Sequence, residues 1–197
     1  MRPWLALRAA GIEFREEKIT LDLPTTVEHI RKYSPSGRLP LLVDGDTSVW
    51  DSLAICEYAV ELTSYPLWPE SRAGRAHARS IVSEMHSGFA TLRQQLSMDL
   101  RLETKIGHLL PETVSDIQRI LEIWDDCMNE FKGPFLFGAQ FTIADAFYAP
   151  VVLRFKSYGI SIRRKTALSY MESVIQFAPV HEWVAEAKKE HNATFSF

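Results

Sequence analysis

The pair Asp51-Ser52, in "VWDSLAICEYA", stands at the head of an apolar stretch, where residue type and position together could do chemistry. A helix that begins there offers unpaired backbone N–H groups and partial positive charge to a carboxylate, while an adjacent acid pairs with an ammonium. The combination suits a ligand head that carries both charges, as an amino acid does. Capping accounts for the same residues without a ligand: Asp or Ser at this position accepts a hydrogen bond from an orphan N–H and contributes about 0.5–2 kcal/mol. The residues alone leave both readings open.

A second chemical feature lies just upstream, in "GRLPLLVDG". Leu39 to Val43 reads as a buried strand, yet Pro40 can donate no ladder hydrogen bond, so it requires an edge position, a bulge or a cis Leu39-Pro40 bond. In the cis case the N–H and C=O of Leu39 turn outward, where an extended peptide can pair with them; an edge-strand proline is the plain alternative. Further along, Thr142 and Asp145 in "FTIADAFYAP" have the spacing of a capping box, with Phe141 as the staple residue. That box nucleates a buried helix and bears on fold more than on chemistry. Cys56 and Cys127 each fall inside an apolar helical stretch and read as packing residues, not nucleophiles.

The elements that must hold these residues fall into two halves. In "RPWLALRAAG" the apolar residues Trp4, Leu5, Leu7 and Ala9 have helical spacing, Pro3 suits an early helical position and Gly11 a stop. "IEFREEKI" alternates Ile12 and Phe14 with charged residues and reads as a strand over 12–19. A short helix is expected from Pro24 through Ile30, then the Ser34-Pro35-Ser36-Gly37 loop. "LPLLV", the Asp44-Gly45 turn and "TSVW" form a hairpin, and a helix from about Ser52 to Leu62 closes a mixed α/β layer.

After Leu62 the character changes. "TSYPLWPES" places Pro66 and Pro69 around Trp68 and reads as a linker. Beyond it Ile81, Met85, Phe89, Leu92 and Leu96 share one helical face, and Val114, Ile117, Leu121, Trp124 and Met128 share another. Three more helices are expected at Ile143 to Lys156, Ala167 to Phe177 and His181 to Glu190. The fold class is therefore α/β plus all-α: a domain over 1–63, a linker over 64–71 and a helical bundle over 72–197.

Composition narrows the function classes. With 197 residues and 46% hydrophobic content the chain can build a packed core, and its formal charge of -3 supplies no broad cationic field for nucleic acid or anionic lipid. "RRK" at Arg163 to Lys165 is short enough to be a solvated turn. Two cysteines form no disulfide framework and show no metal-ligand spacing, which fits a reducing compartment, with the cytoplasm as the default. No apolar run approaches the roughly 18–20 residues of a membrane span, and the N-terminus lacks a signal peptide's apolar core.

The order of elements, the "GRLPLLVDG…VWDSLAICEYA" block and the "FTIAD" box resemble the cytosolic glutathione S-transferases of bacterial type, across essentially the whole chain. The resemblance implies a thioredoxin-like first domain, glutathione as substrate with no metal, cytoplasmic detoxification chemistry and a homodimer. It implies that Leu39 pairs with the cysteinyl backbone of glutathione, that Pro40 is cis, that Asp51 and Ser52 hold the γ-glutamyl end, and that Arg38 lies near the glycyl end. "EMHSGFATLRQQLSMDLR" resembles the helix lining the cleft of such transferases. It makes His86, Phe89, Arg93 and Met98 candidates for the site of a small apolar electrophile, with core packing or a surface ion pair as alternatives.

Members of that family begin with a strand and a loop bearing the catalytic Ser, Cys or Tyr. "MRPWL" already resembles the first helix, so the activating residue is expected just before Met1 and the first strand is expected to be missing. The resemblance thus implies glutathione conjugation to an apolar electrophile. A glutathione-dependent isomerase, or a transferase-like binding module without turnover, is the alternative.

Overall fold

The computed structural model describes residues 1–21 and 23–190. Its first helix, α1 (Arg2–Ala9), starts with Pro3 in the first turn, where a missing N–H costs nothing. It ends at Gly11, whose φ of +67° lets the chain reverse. Leu5, Ala6 and Leu7 are buried, so this short helix works as a core element.

Residues 12–19, expected as a strand, carry no strand in the structure. Their alternation has another cause: Phe14 meets Trp4 edge-on at 6.3 Å, and Glu16 accepts a hydrogen bond from Trp4 Nε1 at 3.2 Å. The segment is laid over α1 by its side chains, and among the described residues no strand lies beside it to form a ladder. The next helix, α2 (Thr26–Tyr33), begins after Pro24 and runs past Ile30.

Strands β1 (Leu41–Asp44) and β2 (Thr47–Trp50) form an antiparallel hairpin, with Leu41 opposite Trp50 and Asp44 opposite Thr47. Gly45, at φ +55°, sits in the expected Asp-Gly turn. The ladder starts at Leu41, one residue after Pro40, so the proline stands outside it. Helix α3 (Ser52–Glu61) follows at once, its inner face made by Ile55, Cys56 and Ala59.

Between this layer and the helical part, residues 64–71 are firmly anchored. Leu67 and Trp68 are buried, the Leu67 carbonyl accepts from Ile143 N–H at 3.0 Å, and Trp68 Nε1 donates to Glu57 at 3.1 Å. Ser71 then caps α4 (Arg72–Ser87) by accepting from Gly74 N–H at 3.0 Å.

The helical run expected to continue from Ile81 to Leu96 is interrupted. α4 stops at Ser87, Phe89 adopts a left-handed conformation with φ 58°, and α5 (Ala90–Gln95) starts anew. Gly88 permits the break, because a Cβ there would come within 2.7 Å of the Glu84 carbonyl oxygen. Phe89 nevertheless keeps its ring in the core, which preserves the apolar spacing across the break.

Helices α6 (Pro111–Phe131), α7 (Ile143–Ser157), α8 (Lys165–Gln176) and α9 (Ala178–Lys189) complete the described chain. Residues 191–197, the end of the expected bundle, lie outside the described residues. Trp124 of α6 is the hub, packed against Tyr148, Phe155 and Tyr170. α7 is buried almost all round and begins in the expected capping box: Asp145 accepts from Thr142 N–H at 2.8 Å and Thr142 Oγ1 at 2.9 Å, and also from Leu136 N–H at 3.0 Å. α1 packs on α3 and α7, and Trp4 meets Trp183 of α9 at 5.1 Å. The N-terminal helix thereby joins the α/β layer to the helical domain.

Candidate functional site

Asp51 stands where β2 gives way to α3, with φ 76° and ψ 139°, a positive-φ conformation outside the left-handed helical region that residues other than glycine rarely adopt. Its two oxygens do separate jobs. Oδ1 caps the helix, accepting from Leu53 N–H at 2.7 Å and Ala54 N–H at 3.4 Å. Oδ2 points away from the helix and lies 3.1 Å from His86 Nε2 on α4. Ser52 follows in the first turn, half-buried. The capping reading of Asp51 thus has its structural counterpart in Oδ1, while Oδ2 is in contact with His86.

The Leu39-Pro40 peptide is cis, the isomer the resemblance implies. Leu39 is 42% exposed, and among the described residues its main-chain N–H and C=O have no partner. Arg38 is exposed beside it, in a loop braced by Arg38 N–H donating to Ser36 Oγ at 3.3 Å.

The candidates on the helical side separate into three positions. His86, at the end of α4, contacts Asp51 and meets the Phe147 ring at 5.9 Å, while its Nδ1 is buried without a partner. Arg93 lies against the same turn, its Nη2 donating to the carbonyls of Met85 at 3.2 Å, His86 at 3.3 Å and Gly88. It thus closes the C-terminus of α4. Phe89 faces the core, and Met98 is exposed in the segment after α5.

Three residues not singled out from the sequence belong beside these. The Arg2 guanidinium lies over the Phe147 ring at 4.7 Å from its centroid. Arg154, on α7, donates from Nε to the Leu96 carbonyl at 2.7 Å and from Nη1 to the Pro150 carbonyl at 3.3 Å. Burial first, and then the positive charges of Arg93 and Arg154, bring the Arg2 guanidinium down to about 10; burial and then Arg93 bring Arg154 down to about 10. The one sequence signal for Arg154 was a charge directly after the apolar run over 146–153 of α7.

The two cysteines supply no nucleophile. Burial pushes the Cys56 thiol strongly upward and the Cys127 thiol up to about 12, the reverse of what an attacking thiolate requires. Among the described residues no group of His, Cys, Asp and Glu could hold a metal ion, and no helix is long and apolar enough to cross a membrane.

Comparison with known proteins places this geometry in context. Residues 1–62 match the family model described as glutathione S-transferase, N-terminal domain, and residues 75–186 that described as glutathione S-transferase, C-terminal domain. The chain is 40% identical over 87 residues to a dichloromethane dehalogenase of Methylophilus leisingeri, a match covering 42% of this chain and only 32% of that protein. It is 24% identical over 162 residues to a probable maleylacetoacetate isomerase of Caenorhabditis elegans, covering 80% of this chain and 74% of the other. A crystal structure of a glutathione transferase homolog from Burkholderia GL BGR1, with bound glutathione, superposes with a TM-score of 0.72 at 21% identity, over 96% of this chain and 91% of that one. At that identity the likeness establishes the fold: a thioredoxin-like N-terminal domain followed by a helical C-terminal domain.

Proposed function

The chain belongs to the glutathione S-transferase family, and from that premise we propose that it binds glutathione at the head of α3 and joins its sulfur to a small electrophile. Leu39 lends its free N–H and C=O to the cysteinyl backbone, and Asp51 with Ser52 receives the γ-glutamyl end. Arg38 meets the glycyl carboxylate. The observation that supports this reading is the division of labour within Asp51: one oxygen caps α3, and the other, 3.1 Å from His86, keeps a lone pair for an ammonium.

The chemistry asked of such a site is modest. A free thiol ionises at about 8.5, so an environment that favours the thiolate raises its population near neutral pH. Holding thiolate and electrophile together removes much of the entropic cost of their meeting. The thiol proton goes to solvent, the sulfur forms a bond to the electrophilic carbon, and a leaving group departs with the electron pair of the bond that breaks.

A glutathione-dependent isomerase is the second reading, supported by the relative named as a probable maleylacetoacetate isomerase across 80% of this chain. There the C–S bond forms and then breaks, returning the thiolate. A homodimer in the cytoplasm completes the proposal; exposed Val43 and Trp50 on the hairpin offer apolar surface to a second copy.

Retention on immobilised glutathione, followed by a conjugation assay with 1-chloro-2,4-dinitrobenzene, tests the reading. Binding with turnover is expected of a transferase. Binding without turnover on this or other electrophiles identifies a binding module, and absence of glutathione binding overturns the proposal.

A further inference from the structure

Arg2, Arg93 and Arg154 come from α1, α5 and α7, yet they are near enough for the charges of Arg93 and Arg154 to act on Arg2 and that of Arg93 to act on Arg154. Arg2 is joined to the Asp51 region through a continuous set of contacts: Arg2 over Phe147 at 4.7 Å, Phe147 against His86 at 5.9 Å, and His86 against Asp51 at 3.1 Å. Arg93 reaches the His86 carbonyl from the other side at 3.3 Å.

The hydrogen bonds that hold this cluster all go to neutral acceptors. Arg93 and Arg154 donate to main-chain carbonyls, and Arg2 has only the face of an aromatic ring. Among the described residues none of the three is paired with a carboxylate, although ion pairs are common elsewhere on the molecule. Asp51 attracts Arg2 only weakly, as the last influence on it, and spends its outward oxygen on His86. Arg93 Nε is buried without any partner. A fixed positive charge removed from water and surrounded by like charges is costly, and a bound anion offsets that cost.

We infer that the second substrate carries a carboxylate or comparable anionic group, received by Arg2 together with Arg93 and Arg154 beside the glutathione site. This rests on the glutathione-binding reading and refines the electrophile from a purely apolar molecule to an apolar body with an anionic head. Arg2 is the discriminating member, because its guanidinium makes no hydrogen bond that holds the fold and is free to offer its paired donors to a carboxylate. Arg93 and Arg154 supply field and fixed geometry.

Isothermal titration of 4-nitrobenzoate and its neutral methyl ester into the full chain saturated with glutathione tests the inference. The benzoate is expected to bind about 10-fold or more tightly than the ester, and to weaken as sodium chloride is raised. Arg2→Met is expected to abolish that preference while leaving ester binding and glutathione affinity within about 2-fold of the parent; Arg2→Lys restores part of it.

Equal binding of acid and ester by the unmodified chain overturns the inference, whatever the variants do. So does a loss of glutathione affinity in Arg2→Met, which assigns Arg2 to a carboxylate of glutathione instead. Should glutathione itself fail to bind, the glutathione reading falls. The acid-against-ester comparison on the ligand-free chain then decides whether the arginine cluster takes anions in its own right.

Discussion

His86 Nε2 lies 3.1 Å from Asp51 Oδ2, a contact that bridges the end of α4 and the start of α3. One residue belongs to the helical domain and the other to the α/β layer, so the proposed ammonium-binding carboxylate is held from both sides. Its cap to Leu53 N–H fixes one oxygen, and the imidazole fixes the other.

Asp51→Asn and Asp51→Ala separate the two jobs of this residue. Asparagine caps a helix about as well as aspartate and tolerates positive φ, whereas alanine forfeits the cap at a cost of about 0.5–2 kcal/mol. Asp51→Asn is therefore expected to hold its urea-unfolding midpoint near that of the parent while losing about 10-fold or more in glutathione affinity by calorimetry. Asp51→Ala loses both. If Asp51→Asn binds glutathione normally, the carboxylate is a cap and nothing more.

His86 acts through Asp51, which makes it a positioning residue. Removing the imidazole in His86→Ala takes away the contact at Oδ2 and is expected to weaken glutathione binding by about 3- to 10-fold, the effect of one polar contact. His86→Gln, which retains an N–H near the same place, is expected to recover most of the affinity. Equal loss in both variants would point to packing against Phe147 as the role of His86.

Gly88→Ala addresses the break between α4 and α5. A Cβ there meets the Glu84 carbonyl oxygen at 2.7 Å, so the turn must shift, and overpacking of this kind costs about 1–3 kcal/mol. His86 and Arg93 flank that turn, and Arg93 donates to the Gly88 carbonyl. Reduced stability in urea should therefore accompany weaker binding of both glutathione and 4-nitrobenzoate. A destabilised protein with unchanged ligand affinities would show that the turn does not position the site.

Much of this architecture was legible in the sequence because the signals are local. An Asp-Gly turn, an acid at a helix start and a Thr142–Asp145 box each constrain a few adjacent residues. The readings that failed depended on distant partners. Residues 12–19 alternate because they cover Trp4, and an alternating pattern cannot report whether a strand lies alongside. The break at Gly88 escaped because Phe89 keeps its place in the apolar pattern while its backbone turns left-handed. Arg2 and Arg154 were invisible as a pair for a related reason: a charged residue on a helix is ordinarily solvated, and only tertiary packing takes these two out of water.

Asp145 makes a prediction about pH. Complete burial raises its carboxyl from the ordinary 3.8 to about 6, against the opposing pull of the N–H groups of Leu136 and Thr142. The folded state therefore binds a proton that the unfolded state has already released between these values. Stability falls as pH rises through this window and levels off above about 6, by roughly 3 kcal/mol in total. Asp145→Asn removes that titration and leaves one of the two N–H groups short of an acceptor, a loss of about 1–3 kcal/mol at any pH. Urea unfolding from pH 4 to pH 7 should accordingly show the parent well above the variant at the acid end, with the gap narrowing toward neutrality. A gap that widens with pH would mean that the hydrogen bonds outweigh burial and hold the carboxyl below its ordinary range.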